Sequence, residues 1–377
     1  MRLAAAAALL FGLALIASTT GRVDARAALV SPYTFNRDVR PILQRRCVQC
    51  HVPGGVGPTS FATYHDAVTQ AWSMRQALMS GRMPPWSAKP GAVALNEQQS
   101  LTAHELDVLM SWASGGTPEG SATAPDDTRP AIPDSPAIAA APDLTIQMPA
   151  PYVLPAGAQN ADYEVVLPSD DVRGTWIRAV DVVPDARAIV RRAQVLIRVP
   201  EGEQIVGLWL PGDVPQMLGA NAAFFVPANG SLVLQVHYQR PRPGEAAAIA
   251  DRSRVAVYLS PAPAAQVESL TVIAARQLLT KNVRVVSFRP IQGPADAIAR
   301  VVAVATSGAR TSLLRLQLRP DWPRRYVLTT PLPLPRGTVL DVSVVRARAD
   351  VWQTLIETPA SVAASSNSFR GAIEVVD

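Results

Sequence analysis

The hydrophobic pattern divides the chain into an N-terminal part with helical periodicity and a longer C-terminal part with strand periodicity. In "FNRDVRPILQRRC" apolar residues recur three or four positions apart, at Phe35, Val39, Ile42 and Leu43. This spacing predicts an amphipathic helix, in which Pro41 is tolerated only near the first turn. A further helix is predicted over "TYHDAVTQAWSMRQALMSG", ended by Gly81.

The stretch "LTAHELDVLMSWASGG" predicts another helix of the N-terminal part. Thr102 and Glu105 have the spacing of a capping box, and Gly115-Gly116 is a stop signal. One apolar face is expected, made of Leu106, Leu109, Met110 and Ala113. The N-terminal part is therefore predicted to be helical.

From about Asp143 onward the chain consists of short β-type runs broken by Pro and Gly, such as "DYEVVLP", "AQVLIRVP", "SLVLQVHYQRP" and "VRVVSFRP". Alternating apolar positions with turn signals every ten to fifteen residues or so predict antiparallel sandwiches. There are enough strands for two sandwiches, at 143–264 and 265–377. The Pro- and Ala-rich segment 119–142 has no periodicity, which predicts a linker.

Composition supports several domains and excludes one class of partner. The chain has 377 residues, of which 48% are hydrophobic and 17% charged, enough to bury more than one core. The net charge of +5 is carried mostly by scattered arginines. Because no basic patch stands out, we expect no nucleic-acid binding.

The first residues have the order of a secretory signal. Arg2 precedes an apolar run from Leu3 to Ala17, and small residues follow up to Ala27. A transmembrane anchor is the alternative, but this run is shorter than the roughly twenty residues that cross a bilayer. We expect a signal peptide over 1–27, a periplasmic or otherwise exported protein, and no membrane span after cleavage.

Both cysteines of the chain lie in the sequence Cys47-Val48-Gln49-Cys50-His51. A Cys-x-x-Cys-His sequence is typical of c-type haem attachment, because two thiols must reach the vinyl groups on one porphyrin edge while the next imidazole ligates iron. Cys47 and Cys50 are therefore predicted to bind one haem c covalently, with His51 as an axial ligand. A redox-active Cys-x-x-Cys or half of a zinc site are the alternatives.

The sixth iron ligand has several candidates, namely Met74, Met79, Met83, Met110, His65 and His104. Met83 lies in "GRMPPW", where Gly and Pro hold it on a stiff segment outside a helix. Met74 and Met79 are expected in a helix core and Met110 on the C-terminal helix face. We therefore predict Met83 as the second axial ligand, which would suit electron transfer.

Longer motifs give a family resemblance. The run "FNRDVRPILQRRCVQCH", then "GRMPPW", "SWASGGTPEG", "PDLTIQMPAPYVLP", "LWLPGDVP", "LVLQVHYQRP" and "LPLPRGTVLDV", resemble bacterial proteins that join a class I cytochrome c domain to a module similar to the copper type II, ascorbate-dependent monooxygenases. The resemblance implies an all-α cytochrome c domain over 33–118, followed by an all-β module of two antiparallel jelly-roll sandwiches. In that family each sandwich normally holds one copper.

The copper ligands are where this sequence departs from the family. The strand that matches the family's His-His pair carries Arg191 and Arg192, whereas the later histidine is present as His237. Beyond Asp143 there is one His and no Cys, and the methionines are Met148 and Met217. Guanidinium cannot donate a lone pair to a metal, so no copper is expected. Arg191 and Arg192 are interpreted as strand residues, one facing solvent and one paired with a carboxylate.

Together these patterns predict an exported mono-haem c-type cytochrome that transfers electrons. Its copper-free β module is expected to act as a scaffold or as a docking surface for a redox partner protein, in which case the chain could be a subunit of a larger periplasmic complex. Two alternatives stay open: a haem-containing, ascorbate-dependent monooxygenase-like enzyme, and a haem-based sensor. An electron carrier is favoured over an enzyme because donors for copper are missing.

Overall fold

The computed structural model describes residues 30–85, 88, 93–96, 100–121, 141–218, 222–242, 244, 247–260, 265–273, 275–295, 297–346 and 369–376. The predicted signal peptide and most of the predicted linker lie outside the described residues. Within these ranges most of the regular structure is β-sheet, the α-helices lie in the N-terminal part, and a short 3-10 helix spans Asp170–Val172 between two strands. No helix in them has the length and apolar character needed to cross a membrane.

The described residues of the N-terminal part form one π-helical turn and four α-helices. The turn spans Phe35–Val39, and the helices are α1 (Arg40–Arg46), α2 (Tyr64–Thr69), α3 (Ala71–Met79) and α4 (Ala103–Ser114). The single helix predicted up to Gly81 is wrong, because Gln70 leaves the helical region (φ −105°, ψ 4°) and divides it into α2 and α3. Thr63 and Asp66 form a capping box that starts α2.

Helix α4 confirms the predicted capping box but not the predicted face. The Thr102 side chain accepts a hydrogen bond from the Glu105 N–H, and the Glu105 carboxylate accepts one from the Thr102 N–H. The buried residues are Glu105, Val108, Leu109 and Trp112, whereas Leu106 is 40% exposed. The helix turns Trp112 inward because its large ring packs against Phe35 and its Nε1 donates to a half-buried acceptor, the Pro118 carbonyl, at 3.0 Å.

The helical core is built on the stripe that the sequence predicts. Phe35, Val39, Ile42 and Leu43 are each at most 4% exposed. They pack with residues of α3 and α4, among them Met74 and Leu109. This packing holds α1 against the other helices and so positions the Cys-x-x-Cys turn that follows it.

The first group of strands forms three sheets around one core. The strands are β1 (Leu144–Gln147), β2 (Tyr152–Leu154), β3 (Asn160–Val166), β4 (Trp176–Val183), β5 (Val190–Val199), β6 (Gly202–Trp209), β7 (Ala222–Phe225), β8 (Ser231–Gln239), β9 (Ile249–Asp251), β10 (Arg254–Ser260) and β11 (Ala265–Gln266). The sheet orders are β1-β10-β4-β7-β11, β3-β8-β5-β6 and β2-β9. Buried side chains such as Ile177, Val195 and Leu234 fill the space between them.

A second group of strands forms two four-stranded sheets. The strands are β12 (Glu268–Ile273), β13 (Arg276–Leu278), β14 (Val283–Gln292), β15 (Ala297–Val304), β16 (Arg310–Gln317), β17 (Tyr326–Leu334), β18 (Val339–Arg346) and β19 (Arg370–Val376). The sheet orders are β12-β19-β14-β17 and β13-β18-β15-β16. Their shared core includes Val285, Val301 and Leu328.

Pairing is antiparallel throughout the described strands, with one exception. The two-residue strand β11 runs parallel to β7, with Ala265 opposite Ala222. The chain then enters the second group at β12, which pairs with β19. The prediction of purely antiparallel pairing is therefore wrong at β11. This short strand lies at the edge of its sheet and leads directly into the second group of strands.

Part of the N-terminal segment pairs with the second group of strands. Ala88 forms a β-bridge with Leu316, and Leu95 forms one with Leu328. The Asn96 N–H also donates to the Val327 carbonyl at 2.8 Å. The connection between α3 and α4 is thus held by the β part of the molecule.

Candidate functional site

A tight turn at the end of α1 brings Cys47, Cys50 and His51 together. The Cys47 N–H closes α1 on the Leu43 carbonyl at 2.8 Å. The Cys47 carbonyl then accepts from the N–H groups of Cys50 and His51 at 3.1 and 2.9 Å. Both cysteines are free thiols, and both line the same cavity as the His51 ring.

The His51 ring is fixed by a hydrogen bond that determines its tautomer. Nδ1 lies 3.0 Å from the Thr59 carbonyl oxygen and 3.2 Å from Thr59 Oγ1. Because a carbonyl can only accept, Nδ1 carries the proton and Nε2 keeps a free lone pair. Burial lowers the pKa of His51, which favours the neutral form of the ring. A neutral imidazole oriented through Nδ1 is the form that ligates a metal through Nε2.

The loop after His51 contains a glycine that makes room for the ring. A Cβ on Gly57 would lie 2.8 Å from His51 Nδ1 and 2.8 Å from the Cys50 carbonyl oxygen. The Gly57 N–H donates to that same carbonyl at 2.9 Å. Any side chain at this position would therefore push against the imidazole or the backbone of the Cys-x-x-Cys turn.

The cavity has a volume of about 440 Å³, which lies within the range typical of ligand and cofactor sites. Most of its lining comes from the helical part: Arg46, Cys47, Gln49, Cys50, His51, Val56, Gly57, Pro58, Thr59, Phe61, Gln70, Ser73, Met74, Ala77, Leu78, Arg82, Met83, Pro84, Pro85, Leu101 and Leu109. Arg191 and Trp322 add a wall from the β part. The cavity is thus mainly apolar, with few charged groups at its edge.

The pKa values of the two thiols are shifted in the opposite direction from those of a redox-active Cys-x-x-Cys pair. Burial raises the pKa of Cys47 to about 12, and burial likewise raises the pKa of Cys50 to about 12. Redox-active Cys-x-x-Cys sites instead lower the pKa of the attacking thiol. This environment argues against the redox-active alternative and leaves two neutral thiols facing the cavity.

Two of the sixth-ligand candidates line this cavity, Met83 and Met74. Met74 is 6% exposed in the helical core, as expected, whereas Met79 is 41% exposed and not a core residue. His65 and His104 are exposed on α2 and α4. The choice of Met83 stays a prediction, with Met74 as its nearest competitor.

The segment that carries Met83 is held from both sides. The N–H groups of Arg82 and Met83 donate to the Ala77 carbonyl at 2.9 and 3.1 Å, and Gly81 takes the positive φ of 62° that ends α3. From the β part, the Arg319 guanidinium donates to the Gly81 carbonyl at 2.6 Å and to the Arg82 carbonyl at 3.4 Å. The β part therefore restrains the backbone on which Met83 is carried.

The β part also contacts the Cys-x-x-Cys turn directly. The Cys50 thiol donates to the Pro211 carbonyl at 3.2 Å. Gly212, with φ of 81°, lies so close to Gln49 that a Cβ would come within 2.5 Å of Gln49 Oε1. The loop in "LWLPGDVP" thus packs directly against the Cys-x-x-Cys turn.

Arg191 does not match its interpretation as a solvent-facing or carboxylate-paired strand residue. Its guanidinium carbon lies 4.1 Å from the centre of the Trp322 ring, a cation–π geometry, and both side chains line the cavity. Sequence reasoning missed Arg191 and Trp322 as site residues. No local pattern could have found them, because the contact joins strand β5 to a distant loop.

Arg192 and His237 lie instead in a separate polar cleft of about 370 Å³. His237 Nδ1 lies 2.7 Å from Asp162 Oδ1, so its ring already has a partner. Across the described residues, no group of three or more His, Cys, Asp and Glu side chains could hold a metal ion. The expectation that no copper binds stays a prediction.

Comparisons with known proteins do not assign the chain to a family. No protein-family model and no curated protein matches the chain. One solved structure with similarity, named "putative alpha-L-fucosidase from Bacteroides ovatus ATCC 8483", matches over 52% of this chain and 38% of its own, with 14% identity and a TM-score of 0.19. Similarity at this level gives no ground for inferring activity.

Proposed function

We propose that this protein is an exported c-type cytochrome that carries one covalent haem c and transfers electrons. The observation that carries the proposal is the convergence of Cys47, Cys50, His51 and Met83 on one cavity of about 440 Å³. Two thiols, one imidazole and one thioether are the full protein donor set of a His/Met haem c. Their common cavity is mainly apolar, as such a macrocycle requires.

These four side chains fit a haem c in their chemistry as well as in their position. Cys47 and Cys50 would hold the porphyrin through two thioether bonds. His51 would ligate iron through Nε2, and Met83 would supply the weaker second axial ligand. When bound, the haem iron would accept and release one electron, and the thioether would favour the ferrous state.

The restraint on the Met83 segment favours an electron carrier over a sensor. A sensor must release its sixth ligand easily to bind a diatomic ligand, whereas a carrier keeps both axial ligands in each oxidation state. The Gly81 and Arg82 carbonyls accept hydrogen bonds from Arg319, and the chain beyond Met83 pairs with β16 and β17 at Ala88 and Leu95. Both contacts hold the ligand segment in place.

We further propose that the helical part is a class I cytochrome c domain and that the two groups of strands are jelly-roll sandwiches without copper. The Phe35 and Trp112 contact between the first helical segment and α4 supports the first assignment. Arg192 and the Asp162-bound His237 support the second, since neither offers a ligand set for copper. The β module then serves as scaffold and as part of the cavity wall.

A single haem needs other redox proteins to deliver and remove its electron. We therefore propose a periplasmic or otherwise exported setting, a redox partner protein, and membership of a larger periplasmic complex as one form of that partnership. The signal-like order of residues 1–27 supports export.

The test is expression in a host that matures c-type cytochromes, followed by absorption spectra of the purified full-length chain. We expect a reversible ferrous–ferric change in the wild type and no haem in Cys47→Ala/Cys50→Ala. Ferrous protein that binds carbon monoxide readily would favour the sensor. Ascorbate-dependent hydroxylation of a peptide would favour the enzyme, and wild-type protein without haem would refute the proposal.

A further inference from the structure

The β module contributes a positively charged side chain, Arg191, to the wall of the cavity. Arg191 and Trp322 are the cavity-lining residues that come from the β strands and their loops, whereas the remaining lining belongs to residues 46–109. Arg191 is half-buried, and burial is the main cause that lowers its pKa. Arginine nevertheless stays protonated in proteins, so a permanent positive charge lies beside the site.

A β-bulge directs Arg191 toward the cavity. In the pairing of β5 with β8, Val190 lies opposite Tyr238 and Arg192 lies opposite His237, which leaves Arg191 as the extra residue. A bulge of this kind changes the direction of one side chain relative to its neighbours. Here Arg191 faces the cavity, whereas Arg192 faces the polar cleft with His237. Two adjacent arginines therefore serve two separate sites.

The loop that carries Trp322 is anchored, so the stack on Arg191 is held in place. Arg324 donates to Asp213 at 2.6 Å, and both side chains are buried. Arg325 Nε lies 2.8 Å from Glu374 Oε2 in a second buried ion pair. Asp213 belongs to the loop that contacts Gln49 and Cys50. The same anchors thus connect the Trp322 loop to the Cys-x-x-Cys turn.

We propose that Arg191, stacked on Trp322, is a positioning and charge-bearing residue of the haem site that raises the reduction potential of the iron. The inference rests on the proposed function, because it requires a haem in the cavity. A fixed positive charge in a partly buried site destabilises the ferric state relative to the ferrous state, and the effect is stronger there than in water. On this account the β module is part of the haem site.

The test compares the reduction potentials of three full-length holoprotein variants. Arg191→Gln removes the positive charge that the β part brings to the cavity, and Arg192→Gln removes the adjacent charge at the polar cleft. Arg191→Lys keeps the charge but removes the planar stack. Arg191→Gln should lower the ferrous-to-ferric ratio about tenfold at a fixed ambient potential, equivalent to about 59 mV for a one-electron couple. Arg192→Gln and Arg191→Lys should stay within about threefold of the wild type, which is about half of that shift in potential.

Each outcome separates this inference from the proposed function. Wild-type protein without haem would refute the function and, with it, the inference. Haem-containing variants with equal potentials, or equal shifts in Arg191→Gln and Arg192→Gln, would refute the inference alone. A shift in Arg191→Lys as large as that in Arg191→Gln would show that shape and not charge sets the potential. Because a covalent haem stays on an unfolded chain, a cooperative thermal unfolding transition is the check that each variant is folded, and if Arg191→Gln does not fold, Arg191→Ala measures the same loss of charge.

Discussion

Replacing Gly57 by Ala tests whether the His51 ring needs the space that the structure gives it. The new Cβ would lie 2.8 Å from His51 Nδ1, 3.0 Å from His51 Cγ and 2.8 Å from the Cys50 carbonyl oxygen. Contacts below 3.0 Å require something to move. The backbone carbonyl belongs to the Cys-x-x-Cys turn, so the ring or the loop must yield, and the hydrogen bond from Nδ1 to Thr59 is strained.

The expected loss of stability follows from these contacts. Inserting a methylene into a packed site costs about 1–3 kcal/mol, and a weakened hydrogen bond adds about 1 kcal/mol. For a helical domain of this size each kcal/mol lowers the melting temperature by about 4–8 °C. We therefore expect the haem-domain transition of Gly57→Ala to fall by at least about 4 °C.

The assay follows haem absorption during thermal unfolding, together with the spectrum of the ferric protein at room temperature. Gly54→Ala is the matched control, because a Cβ there meets nothing within 4 Å while φ is +80°. That variant should lose about 1–2 kcal/mol through backbone strain alone and keep the wild-type spectrum. Gly57→Ala should change both stability and ligand spectrum. An unchanged spectrum with unchanged stability would refute the role assigned to Gly57.

Three further changes test the ligand, the helix and the absence of copper. Met83→Ala should abolish the weak long-wavelength sulfur-to-iron absorption of the ferric protein and lower its potential, because the thioether favours ferrous iron. Glu105→Gln should lower the free energy of unfolding by about 1 kcal/mol at neutral pH, since Arg46 and Arg45 lie 3.4 Å from the carboxylate. Copper-loaded and dialysed wild type should keep no stoichiometric copper by elemental analysis, and His237→Ala should leave electron exchange with a small mediator intact.

The ligand and copper tests have clear contrary outcomes. Met79→Ala is the control for the first, because Met79 is exposed on α3. Loss of the absorption in Met74→Ala, with Met83→Ala unchanged, would show that the ligand choice is wrong. Two tightly held coppers per chain, or oxygen consumption that vanishes in His237→Ala, would favour an enzyme over a carrier.

The effect of Glu105→Gln should depend on pH. Burial opposes ionisation of Glu105, but the Thr102 N–H and the two arginines outweigh it and lower its pKa below 4.5. A carboxylate with a lowered pKa in the folded state stabilises the protein above its ordinary pKa and loses this contribution as the pH falls through the folded value. In urea unfolding the stability difference between wild type and variant should therefore begin to shrink as the pH falls below about 4.5 and disappear once the pH lies below the folded pKa of Glu105. A difference that persists there would show that charge is not its cause.

Local sequence patterns predicted the parts of the fold that local interactions determine. The Thr102–Glu105 capping box and the buried stripe from Phe35 to Leu43 needed only spacing and side-chain chemistry. The break at Gln70 escaped prediction because no Gly or Pro marks it. The face of α4 was wrong because the alternative apolar stripe through Leu106 ignores the size and hydrogen bond of Trp112.

The candidate site likewise contains residues that local spacing could identify and residues that only tertiary packing brings to it. Cys47, Cys50 and His51 lie within five residues, so their shared role could be inferred from spacing. The convergence of Arg191 and Trp322 on them depends on a β-bulge and on contacts between distant parts of the chain. Likewise, the bonds from Arg319 to the Met83 segment join residues more than two hundred positions apart. Such contacts follow from tertiary packing and leave no local pattern.

The central claim is a single haem attached covalently through Cys47 and Cys50. Its most direct test is the intact mass of denatured protein purified from a host that matures c-type cytochromes. The account predicts the mass of the processed chain plus one haem, retained in acid acetone, with peptide mapping of the attachment to Cys47 and Cys50. The Cys47→Ala/Cys50→Ala variant should show the chain mass alone. Wild-type protein at the bare chain mass, or with haem that extracts, would contradict the account.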